Sequence, residues 1–82
     1  MNRDAIRAAV IEELRNIAPE TDPSALAPGA DLRDALDIDS MDFLNLVIAL
    51  HRRLAVEIPE ADLARLRTLE AMTAYLEAKL NP

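Results

Sequence analysis

Residues 36–54 read LDIDSMDFLNLVIALHRRL, a stretch that opens as a helix and then carries more apolar residues than one core-facing stripe needs. Asp39 is a good N-cap, because a short carboxylate can accept hydrogen bonds from the free N–H groups of a first turn. Asp42, three residues on, gives a capping-box-like pattern. Advancing ~100° per residue from Ser40 gathers Phe43, Leu46, Val47, Leu50 and Leu54 into an arc of roughly 240–340°, which is a complete core face. Met41, Leu44 and Ile48 fall outside that arc, at roughly 40–100°, on the side adjoining Ser40. This second stripe either packs beneath neighbouring segments or forms an exposed apolar strip for partner proteins. Periodicity does not separate the two.

The flanking sequence fits an all-α fold, a four-helix bundle with a short third helix and a long loop between helices one and two. Ile6, Ala9, Val10, Leu14 and Ile17 recur at helical spacing, with Asn2 as N-cap and Pro19 beyond the end. From Ala18 to Asp39 the pattern is broken by Pro19, Pro23, Pro28 and Gly29, while Leu26, Leu32, Leu36 and Ile38 are placed to pin the loop over the helices. A short helical turn is expected near Arg33–Leu36. Ile58-Pro59 forces an extended break after the central helix. A third helix is expected over Glu60–Leu66, and a last one over Leu69–Leu80 behind the N-cap Thr68, with Leu69, Met72, Leu76 and Leu80 facing inward. No segment alternates with a period of two.

With 82 residues, the sequence supports one modest core and is read as a single domain, 1–82. Aromatic residues make up only 2%, so the core must be built from aliphatic side chains and methionine. There is no cysteine and only one histidine, His51, which removes disulfides, thiolate nucleophiles and histidine-rich metal sites. The formal net charge is −6, and residues 18–39 alone contribute −5. Such a surface repels phosphate backbones, which argues against nucleic-acid binding. The N-terminal residues lack the apolar core of a signal peptide, and the apolar run Leu44–Leu50 is too short to span a bilayer, so a cytoplasmic, monomeric protein is expected.

Ser40 therefore has two readings. Asp39 and Asp42 account for the helix start without it. Functionally, the same helix N-terminus offers N–H groups and a positive dipole end that favour a phosphoryl group on the serine. Nucleophilic catalysis is excluded by geometry, since His51 lies roughly 16 Å further along the same helix. No glycine-rich phosphate loop and no metal-ligand spacing is present, so an enzyme is not expected.

In this setting the chain resembles the acyl carrier protein family. The family's Asp-Ser-(Leu/Ile/Met) tripeptide, which opens the second helix after a long loop, is here Asp39-Ser40-Met41. The match continues through Asp42, Leu46-Val47-Ile48-Ala49-Leu50, Ile58-Pro59, Thr68-Leu69 and Tyr75-Leu76, covering about Leu32 to Leu76. The resemblance implies that Ser40 accepts 4′-phosphopantetheine from coenzyme A, through a magnesium-dependent phosphopantetheinyl transferase. The arm's thiol would then carry acyl groups as thioesters to the loading and transferring enzymes of a fatty-acid, specialised lipid or polyketide-type pathway. It implies partner recognition by Asp39, Met41, Asp42, Leu44, Ile48, His51 and Arg52, and a core pocket for the acyl chain at Phe43, Leu46, Val47 and Leu50. Three departures stand out. Asp37 replaces a customary glycine, Asn45 and His51-Arg52-Arg53 replace a run of glutamates, and Phe43 sits where a small or polar residue is common. The charge departure favours dedicated partners. An aminoacyl or peptidyl carrier, or an unmodified interaction module of the same fold, are the alternative readings.

Overall fold

The structure, a computed structural model, describes residues 1–81. Helix α1 spans Arg3–Ile17, α2 Leu32–Leu36, α3 Ser40–Leu54 and α4 Leu69–Leu80, with 3₁₀ segments at Pro23–Ala25 and Glu60–Leu66. Each long helix begins where a short polar side chain closes its first turn. Asn2 accepts from the Ala5 N–H at 2.8 Å, Asp39 from Asp42 N–H at 2.8 Å, and Thr68 from Ala71 N–H at 3.0 Å. Only half of the expected capping box at α3 forms, because no reciprocal bond from Asp42 to the Asp39 N–H is present among the described residues.

The α1 stripe Ile6, Ala9, Val10 and Leu14 packs with Leu46, Val47, Leu50 and Leu54 of α3 and with Leu69, Met72, Tyr75 and Leu76 of α4. Ile17 and Leu80, at the helix ends, are only partly buried against this core. The long loop is pinned as its apolar residues suggest. Leu32, Leu36 and Ile38 are buried in the same core, and Leu26 packs against it. The helical turn expected near Arg33–Leu36 is α2, capped by Asp31, and the chain leaves it through Asp37 in the left-handed region at φ 52°. Aspartate tolerates that region better than most residues, so the missing glycine does not prevent the turn.

The expected short third helix occupies the expected residues but is 3₁₀ rather than α. Its start has no side-chain cap, and its Asp62 N–H bonds back three residues to the Pro59 carbonyl at 2.9 Å. The segment is held from outside itself. The Tyr75 hydroxyl of α4 donates to Asp62 at 2.6 Å, and Leu66 is fully buried. At its far end the Leu32 N–H bonds the Arg67 carbonyl at 2.8 Å, and Arg67 pairs with Asp31 at 2.7 Å. The backbone N–H of Asp34, together with the Arg67 and Arg33 contacts, holds the Asp31 carboxyl below its ordinary value.

Desolvation, with the hydrogen bond to Asp62 second, pushes the Tyr75 phenol up to about 12. A group whose folded pKa lies above its unfolded value stabilises the fold fully below the unfolded value, and that contribution is lost as pH rises through the folded one. Tyr75 is therefore expected to leave stability unchanged up to about pH 10 and to erode it from there to about pH 12. An alkaline absorbance titration of the phenolate checks this; a midpoint near the unperturbed value of about 10 would contradict it.

Candidate functional site

Ser40 is the first residue of α3, and its exposed side chain comes directly after the cap. The Asp39 side chain takes the Asp42 N–H and the Asp39 carbonyl takes the Phe43 N–H at 3.0 Å. The N–H groups of Ser40 and Met41, and the Ser40 hydroxyl, make no hydrogen bond among the described residues. The helix start is thus capped by Asp39 without help from the Ser40 side chain, and two backbone donors are left for an anion at the positive end of a 15-residue helix.

Beside Ser40 lies a groove of about 810 Å³. Met41, Phe43, Leu44, Val47, Ile48 and His51 of α3 form one wall, and Ile58, Leu63 and Ala64 form the other. Arg33, Arg67, Glu57 and Glu60 complete its lining. The second apolar stripe of α3 is exposed: Met41 is 63% accessible, Leu44 39% and Ile48 40%. Among large hydrophobic residues only Met1 shares that state among the described residues. The stripe is therefore exposed rather than packed beneath neighbouring segments.

The four residues grouped as a core pocket divide. Phe43 and Val47 line the groove, whereas Leu46 and Leu50 point into the bundle interior and do not reach it. The basic end of α3 divides too. Arg53 is tied to α1 through Glu12 at 3.0 Å and Glu13 at 3.8 Å, while Arg52 is exposed with no ion pair among the described residues. His51 is half-buried, with Nδ1 2.7 Å from the Val56 carbonyl. A carbonyl only accepts, so Nδ1 carries the proton and the ring anchors the turn after α3. Asp42 is half-buried and Asp39 exposed, both at the Ser40 end.

Sequence reasoning missed the groove's opposite wall. Ile58, Leu63 and Ala64 sit in a 3₁₀ segment and its approach, where no helical or strand period marks a face. The nearest signal was Ile58-Pro59, legible only as a break.

The arrangement fits a phosphodiester-linked arm. It offers an exposed hydroxyl free of structural duty, unused N–H groups for the phosphate and an apolar channel alongside. Among the described residues no three His, Cys, Asp or Glu side chains are gathered to hold a metal ion, and no helix is long and apolar enough to cross a membrane.

Comparison with known proteins agrees. Residues 4–76 match the family model described as the phosphopantetheine attachment site. The chain is 29% identical to an acyl carrier protein of Helicobacter hepaticus over 75 residues, covering 92% of each chain. It is 31% identical to one from Bdellovibrio bacteriovorus over 74 residues, covering 90% of this chain and 88% of that one. It is also 36% identical over 70 residues to the meromycolate extension acyl carrier protein of Mycobacterium tuberculosis, which covers 85% of this chain but 57% of that longer protein. With a capped helix that presents a free serine, a groove beside it and a family match over most of its length, the chain belongs to the acyl carrier proteins, non-catalytic carriers of acyl groups on phosphopantetheine.

Proposed function

We propose that Ser40 is the attachment residue, within one carrier domain over residues 1–82 that works as a cytoplasmic monomer. One observation carries the reading: the Ser40 hydroxyl is exposed and unengaged at the N-terminus of α3, and it opens onto the apolar groove. In loading, an Oγ–phosphorus bond forms as the bond from phosphorus to the nucleotide part of coenzyme A breaks. The serine proton passes to a base of the transferase, since no side chain of this protein hydrogen-bonds the Ser40 hydroxyl among the described residues. The transferase also brings the magnesium ion. Once attached, the arm supplies a thiol for thioester formation. The chain's own part is to hold the phosphate on the Ser40 and Met41 N–H groups and to seat the rest of the arm and its cargo along the groove. Intact-mass measurement after incubation with coenzyme A, magnesium and a broad-specificity transferase tests this, and an unchanged mass refutes it.

Partner enzymes would meet the exposed stripe Met41, Leu44 and Ile48, with Asp39 and Asp42 at one end and Arg52, flanked by His51, at the other. The names of the relatives favour acyl over aminoacyl cargo. The cationic end favours partners outside the usual fatty-acid set, in a specialised lipid or polyketide-type pathway. The two adjacent arginines are expected to behave differently. Arg53→Glu sets like charge against Glu12 and Glu13, and should cost stability by up to about 1 kcal/mol, the ceiling for pairs this exposed. Arg52→Glu should leave the melting temperature in place and change loading kcat/KM by about threefold or more. Thermal melts beside loading kinetics separate them; a melt shifted equally by both variants would contradict the assignment.

A further inference from the structure

The groove meets the core along Phe43 and Val47 of α3 and, from the opposite wall, along the partly buried Ile58 and Leu63. Of the side chains that line the groove, Phe43 at 8% exposure and Val47 at 4% are the two that also belong to the buried core. Leu46 and Leu50 of the same helix belong to that core, at 0% and 1%, and do not line the groove. Phe43 lies one turn from Ser40, so it meets any chain entering from the attachment end before Val47 does. It is also the largest apolar side chain in the protein, whose aromatic content is one Phe and one Tyr. Between its apolar walls the groove also carries four charged residues, Arg33, Arg67, Glu57 and Glu60.

We propose that Phe43, backed by Val47, is a partition that keeps cargo in the open groove and out of the bundle interior, which makes this a carrier for short or polar-substituted acyl groups. The proposal rests on Ser40 as the attachment residue. An open groove that includes Arg33, Arg67, Glu57 and Glu60 offers a polar substituent hydrogen-bonding partners that a leucine core would not. A long saturated chain gains by burial in proportion to the area it hides, and complete burial inside the bundle would require displacing the ring of Phe43 from a close-packed interior. Cargo held in the groove is also reached by a partner enzyme without opening the core.

The test uses the phosphopantetheinylated protein, with the adduct on Ser40 verified by mass, carrying either butanoyl or tetradecanoyl thioester. Hydroxylamine cleavage rates and NMR contacts between the cargo and core methyl groups are read in wild type and in Phe43→Ala. Wild type is expected to release both cargoes at rates within about threefold, with no tetradecanoyl contact to Leu46 or Leu50; Phe43→Ala should slow tetradecanoyl cleavage at least about tenfold and gain those contacts. Wild-type tetradecanoyl that is already protected about tenfold, or already in contact with Leu46 or Leu50, overturns the partition. So does a folded Phe43→Ala that gains no protection. If Phe43→Ala does not fold, Phe43→Leu, which removes the ring but keeps an aliphatic side chain, takes its place with the same two outcomes. A missing adduct on Ser40, seen before any acyl group is added, refutes the attachment reading instead.

Discussion

Ser40→Ala is expected to abolish phosphopantetheine attachment completely while leaving the fold and its stability almost untouched. The two halves of that expectation come from separate observations. The hydroxyl is the single chemical group that can form the phosphodiester at this position, so its loss is all-or-none. The helix start, by contrast, depends on Asp39, whose side chain takes the Asp42 N–H at 2.8 Å. Alanine at the first helical position is a good helix former, and no hydrogen bond from the Ser40 hydroxyl among the described residues is lost. Asp39→Ala should do the reverse at the level of structure, costing about 1 kcal/mol of stability by leaving the first turn uncapped. Urea titration and loading assays on the two variants check both statements. A Ser40→Ala protein that melts like Asp39→Ala would make the serine architectural.

Leu46→Ala is expected to cost about 3–5 kcal/mol, since it empties space around a side chain with no exposure at the centre of α3. For 82 residues the whole stability is on the order of 4–12 kcal/mol, so this one substitution removes a large part of it. With a small-protein urea slope of about 1 kcal/mol per molar, the midpoint should fall by about 3–5 M. Leu44→Ala, two residues away on the exposed stripe, should move it by less than about 1 M. Equal shifts for the two leucines would contradict the division of α3 into a core face and an outward face.

How much of this was legible depends on the information each pattern encodes. The three long helices announce themselves through an apolar period of 3.6 and through Asn2, Asp39 and Thr68 at their heads, because capping is a local interaction between residues two or three apart. The long loop was legible as pinned, since isolated leucines among prolines are stable only against a core. The Glu60–Leu66 segment was legible as a short helix, but its 3₁₀ geometry was not. Its geometry is set by Tyr75 reaching Asp62 from α4 and by the tie between Leu32 and Arg67, contacts that no local window contains.

At the site, the wheel separated Met41, Leu44 and Ile48 from the core face correctly but could not say whether they were covered, because exposure depends on what packs opposite. The same limit grouped Phe43 and Val47 with Leu46 and Leu50. Those four lie on one arc of the helix, and only the position of the Ile58–Ala64 wall tells which of them face the groove. Arg52 and Arg53 looked alike for a similar reason. Their difference is made by Glu12 and Glu13 on α1, some 40 residues away in sequence.

The central claim is that this chain exists to present Ser40 for a covalent arm. It is tested most directly by fragmenting the wild-type protein in a mass spectrometer after incubation with coenzyme A, magnesium and a broad-specificity transferase. The expected result is a single added phosphopantetheine unit, confined to fragments that contain Ser40. No added mass, or an addition on fragments that lack Ser40, would contradict it.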